Sequence, residues 1–336
     1  MSNIRARSPV LLLATLAAVL AGNGVASAHG SIGLTPAQLS SQWTLEAQVV
    51  IPIAALAWLY AAGVHALWRH AGIGRGVRVW QAAAFAAAIL TLVIALISPL
   101  DAAASALFSA HMAQHALLML VAAPLLVLGE PGVAFTWALP RDVLAYVHDV
   151  QRNRIWSAAA RALTHPLAVW ILFAATFWIW HAPPIYDAAV RHDTLHALEH
   201  VTLLGVSVLF WWTLLHAAGR RRFEYGAAVV FVFTTMLQMM IVPALLIFAG
   251  ESWYPYYAHI SPAWRLTPLQ DQSLAGLIMW MPSNVIFLVV GGWLVVRWLQ
   301  DDERRVTEQA QRMARSRRLA LVAPRDGDEP ASELRP

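Results

Sequence analysis

Seven apolar stretches, each about as long as a bilayer's hydrocarbon core requires, dominate this chain. They lie at about 46–69, 80–98, 111–129, 166–182, 195–217, 227–249 and 273–298. None shows the period-two alternation of a barrel strand, so the pattern predicts helices, whose backbone groups bond internally. Composition agrees. Hydrophobic residues make up 59% of the chain and charged residues 12%, about half the charged share of a soluble domain. That balance argues against a compact water-soluble fold, a disordered chain and a nucleic-acid binder. The expected fold class is all-α, a polytopic membrane helix bundle. The chain has no Cys, which removes disulfides, thiolate nucleophiles and Cys-ligated clusters.

The ends and the orientation follow from small and charged residues. Arg5 and Arg7, the apolar run from Val10 to Leu20, and Ala26-Ser27-Ala28 read as a signal peptide over 1–28. Cleavage there makes His29 the first residue of an outer segment, 29–45. The seven-helix domain then covers 46–300, and a partly disordered cytoplasmic tail covers 301–336. All 23 basic residues are Arg. With the mature N-terminus outside and the C-terminus inside, 21 of them fall on the inner side, and Arg191 and Arg265 are left outside. The expected location is a membrane, crossed several times. The inner loop 130–164 is long enough for a surface helix over about 141–162.

The 13 histidines carry the chemistry. Five fall on the inner side without a usable pattern: His65, His70, His148, His165 and His216. The outer set is patterned. His111 and His115, in HMAQH, are i, i+4 and share a helix face. His192, His196 and His200, in RHDTLHALEH, are i, i+4, i+8 along one stripe, with Glu199 on the side of His196. His181 closes the fourth stretch in WIWHAPPIYD. Three adjacent spans therefore bring imidazoles to one membrane depth. Polar groups at that depth are costly without partners and mark function by default. Imidazoles one helical turn apart suit a metal ion; the competing reading is a hydrogen-bonded network that glues helices together.

Methionines add a soft donor. Met112, Met119, Met236, Met239, Met240, Met279 and Met281 lie within spans. Thioether with imidazole and no thiolate suits Cu(I), although Met also fills gaps in apolar packing. Met112, between His111 and His115, is the strongest ligand candidate among them. Asp271 opens the last span and has three roles available: ligand, partner orienting a His, or helix cap. Asp101 and Asp187 are weaker candidates. His29, if it becomes the N-terminus, can chelate Cu(II) with its amino group and ring.

HMAQHALLMLVAAPLLVLGEP, WHAPPIYDAAVRHDTLHALEHVTLLGVSVLFWW and DQSLAGLIMWMPSN, in that order, resemble the CtaG-type cytochrome c oxidase assembly factors associated with caa-type oxidases. The resemblance covers about 80–300. It implies a seven-helix bacterial membrane protein that assists oxidase maturation, with copper as its cofactor or cargo. It points to oxidase subunits, and to outer-compartment copper chaperones, as partners. By position it marks His111, His115, His181, His196, His200 and Asp271, and it implies no enzymatic activity. Two other readings compete. His196-Ala-Leu-Glu199-His200 matches the H-x-x-E-H pattern of an inverted zinc peptidase, and facing His on two helices can ligate haem.

Overall fold

The computed structural model describes residues 34–217, 223–259 and 262–322, and every regular element among them is helical. The expected signal peptide, His29 and the end of the tail lie outside the described residues. In chain order, leaving aside short turns of helix at Pro36–Leu39, Pro255–Tyr257 and Pro262–Trp264, the helices are α1 (Ala47–Ala71), α2 (Val79–Leu96), α3 (Pro99–Ala106), α4 (Phe108–Leu128) and α5 (Pro131–Ala138). They continue with α6 (Arg141–Arg152), α7 (Arg154–Leu163), α8 (Pro166–His181), α9 (Pro183–Arg191), α10 (Asp193–His216), α11 (Tyr225–Ile247) and α12 (Pro268–Val322).

Six of these, α1, α2, α4, α10, α11 and α12, are long and apolar enough to cross a membrane. The seventh expected span falls short. α8 has 16 residues, fewer than the ~20 a straight span needs. It passes the same test only together with α7, from which it is bent by 66°. Among the described residues the count is therefore six, or seven if α7 and α8 are one broken span. Pro166 opens α8 and restricts the residue before it to extended backbone, which breaks the run. The single surface helix expected over 141–162 is likewise two. Asn153 leaves the helical conformation, and its side chain accepts from the Ile155 and Trp156 amides at the start of α7. At the other end, α12 runs unbroken through residue 300 to Val322.

α4 is the most enclosed of the six, packed against α12, α2, α3 and α10. Its middle widens at Leu117–Ala122, where the Ala123 amide reaches back five residues to the Leu118 carbonyl. Pro124, which has no amide to donate, follows directly. The Trp211 indole of α10 donates to the Met119 carbonyl at 2.9 Å and pins the widened turn.

Apolar transfer does not drive helices together within lipid, so close backbone approach matters more. Gly63 of α1 lies so near α5 that an added Cβ would sit 2.0 Å from the Ala134 carbonyl oxygen. Gly276 does the same for the α11–α12 seam, where a Cβ would come within 2.9 Å of the Pro243 oxygen.

Candidate metal centre

Three helix ends meet beside α12. α4 and α10 contribute their first turns and α8 its last residue. The reason α4 begins where it does is supplied from 163 residues away. Asp271, in the first turn of α12, accepts from the Phe108 amide at 2.7 Å, and from the amide and hydroxyl of Ser109. A helix start has amides with no partner inside the helix and a positive end, and a buried carboxylate answers both. Asp271 thus caps another helix and places the turn that carries His111. It is not among the groups of side chains near enough to share an ion.

The structure brings His111, His115, His181, His196, His200 and Glu199 together. The Nε2 atoms of His111 and His115 are 3.0 Å apart. Glu199 faces both, its oxygens 3.8 Å from His111 Nε2 and 3.6 Å from His115 Nε2. The His111 ring centre lies 5.1 Å from that of His196, and the His115 ring centre 5.5 Å from that of His200 and 5.9 Å from that of His181. Among the described residues, two sets have donor atoms that all lie within 4.8 Å of one another: His111, His115 and His200, and His111, His196 and Glu199. Nitrogens bound at ~2.0 Å to one tetrahedral ion are about 3.3 Å apart. The spacing fits shared coordination. Glu199 is fully buried and its oxygens accept no hydrogen bond, and His115 Nδ1 is also buried without a partner.

The tautomers are set from outside the cluster. Tyr257 donates its one hydroxyl proton to the Ala104 carbonyl at 2.9 Å. Its oxygen then accepts from Tyr186 at 3.1 Å and from His111 Nδ1 at 3.3 Å. His111 therefore carries its proton on Nδ1 and presents a bare Nε2 to the cluster. His181 does the same: Nδ1 donates to the Phe177 carbonyl at 2.6 Å, and Nε2 is buried without a hydrogen-bond partner. Burial pushes the phenols of Tyr186 and Tyr257 well above their ordinary range, so both remain protonated donors.

The tyrosines were missed by sequence reasoning. Nothing in the run Trp253-Tyr254-Pro255-Tyr256-Tyr257 marks it as part of a site, yet Tyr254 and Tyr257 are buried over the cluster. Gln272 holds that segment down by accepting from the Trp253 amide at 2.7 Å, and Tyr254 donates to the His181 carbonyl at 2.9 Å. Two expected ligands are placed elsewhere. His192 is an exposed residue just before α10, so it leaves the helical stripe that His196 and His200 share. Met112 is buried in α4, where it lines a cavity with Met119, His115 and His181. Asp101 bonds Thr44 and Gln114, and Asp187 pairs with Arg191. On the inner side, His216 meets Glu130 at 3.1 Å, a pairing the sequence pattern did not suggest.

Residues 58–301 match the sequence model described as cytochrome c oxidase caa3 assembly factor. An uncharacterized protein of Mycobacterium bovis is 29% identical over 287 residues, which is 84% of this chain and 43% of the relative. A Mycobacterium tuberculosis protein, also uncharacterized, matches to the same extent, and one from Mycobacterium leprae is 27% identical over 212 residues, 60% of this chain and 31% of the relative. The chain thus spans less than half the length of these curated relatives. No solved structure matches it.

Proposed function

The chain belongs to the cytochrome c oxidase caa3 assembly factor family, and from that premise we propose that it binds copper among His111, His115, His181, His196, His200 and Glu199 and hands the ion to a nascent oxidase subunit. The observation that carries this reading is the pair of Nε2 atoms 3.0 Å apart, faced by a buried carboxylate that accepts no hydrogen bond. A glue network would saturate that carboxylate; a coordination site leaves its oxygens open to an ion. Imidazole is a ligand that suits copper, and a copper-dependent oxidase is the partner that the family name implies.

The protein acts as a carrier, not an enzyme. Copper arrives as cargo from the outer compartment, directly or from a soluble chaperone, and leaves within the membrane plane. This places the cluster on the outer side of a bacterial cytoplasmic membrane, with the Arg-rich loops inside. The other two chemistries fit less well. Two Nε2 atoms 3.0 Å apart leave no room for a macrocycle between them. A peptidase needs its general base at water and substrate, whereas Glu199 is fully enclosed by the helices.

Deletion in the native host tests the reading. Oxidase activity should fall, with haem incorporation intact, and recover with excess copper or with a wild-type copy. A copy carrying His111→Phe and His196→Phe should fail to restore activity at ordinary copper. Full restoration by that copy would overturn the assignment.

A further inference from the structure

A second cluster lies about one turn further along α4. Met112 and Met119 of α4, Met239 of α11 and Met279 of α12 line one cavity of about 20 Å³, together with His115, His181 and Phe177. All four methionines are buried. A space of that size holds one water molecule or one ion, and an apolar lining gives a water too few partners. Methionine also serves as packing. Packing alone does not account for His181, which is 5% exposed and whose Nε2 lone pair has no hydrogen-bond partner. Its Nδ1 proton is committed to the Phe177 carbonyl, so Nε2 is the free donor on a cavity-lining side chain.

We propose that this cavity is a second copper seat, specific for Cu(I), whose donors are the thioethers of Met112, Met119, Met239 and Met279 and the Nε2 of His181. Thioether and imidazole without thiolate or carboxylate form a soft set that favours Cu(I) over zinc. No charged side chain lines the cavity, so a singly charged ion is less costly there than a doubly charged one. His115 and His181 stand between the two seats: His115 Nε2 faces His111 and Glu199, the His181 ring lies 5.9 Å from that of His115, and both rings line the cavity. Cu(I) passes from one to the other by ligand exchange at His115 and keeps its oxidation state, so no electron donor is needed. That transfer rests on the copper reading of the imidazole cluster; the seat itself does not.

The test uses purified full-length protein in detergent, with Ag(I) as a redox-inert probe and Cu(I) under anaerobic chelator competition. X-ray absorption of the Ag(I)-loaded protein should show sulfur scatterers. Replacing all four methionines by Leu, a volume-conserving change, should remove about one equivalent of Ag(I) and all sulfur scattering, leaving nitrogen-only binding. His111→Phe with His196→Phe should do the reverse, keeping the sulfur-bound ion. Failure of the imidazole cluster is thereby told apart from failure of this seat. If the fourfold variant does not fold, Met239→Leu and Met279→Leu singly should each weaken Ag(I) binding about tenfold, the scale of losing a supporting ligand contact. Bound Ag(I) without sulfur scattering in the wild type, or unchanged Ag(I) capacity and affinity in the Leu variants, overturns the proposal.

Discussion

A single tyrosine proton organises much of the cluster. Tyr257 gives it to the Ala104 carbonyl, which obliges His111 to donate from Nδ1 and leaves its Nε2 bare. Tyr257→Phe removes the acceptor and strands a buried N–H, at a cost of about 1–3 kcal/mol. Copper affinity in a chelator competition should fall about tenfold, the usual effect of losing a group that orients a ligand. Unchanged affinity would remove Tyr257 from the account. Alkaline stability follows from the same burial. The folded-state phenols of Tyr186 and Tyr257 titrate above their unfolded value, so the stability they add is complete below about pH 10 and declines as pH rises beyond it. Thermal unfolding between neutral pH and pH 11 reads that decline directly, and a flat profile would contradict it.

Among the elements, contacts between backbones set the architecture, and only part of that was legible in advance. Long apolar helices declare themselves by composition, so α1, α2, α4, α10 and α11 end within a few residues of expectation. The i, i+4 spacing also foretold that His111 and His115 share a face, as do His196 and His200. Partnerships across long stretches of chain were not legible. Nothing near Asp271 in sequence says that it caps α4, and nothing in Trp253-Tyr254-Pro255-Tyr256-Tyr257 says that Tyr254 and Tyr257 are buried against the imidazoles. The widened turn at Leu117–Ala122 depends on an indole from α10 as well as on Pro124. His192 was misplaced because period alone extends a stripe past the helix's first residue. Gly63 provides the element-scale test. Gly63→Ala drives a methyl into the Ala134 carbonyl and must part α1 from α5. The melting temperature should drop by several degrees, while copper stoichiometry holds, because neither helix supplies a donor. A variant as stable as wild type would contradict the packing.

At the scale of the whole molecule, the orientation decides from which compartment the proposed copper would enter. The absence of Cys makes it measurable without background. Arg191, 53% exposed, lies at the end of α9 on the imidazole side, and Arg141 opens α6 in the loop after α5. In intact cells a membrane-impermeant thiol reagent should label Arg191→Cys at once, and Arg141→Cys only after permeabilisation. The opposite pattern would turn the cluster toward the cytoplasm and reverse the direction of delivery.

The claim on which the rest depends is that converging imidazoles bind copper. Its most direct measurement is copper per protein after reconstitution and desalting, compared between wild type and a variant with His111, His115, His181, His196 and His200 all replaced. Wild type should retain copper and show imidazole scattering in X-ray absorption, and the variant should lose all nitrogen-bound copper, keeping at most the sulfur-bound ion of the methionine seat. Full copper loading in the folded variant would contradict the account.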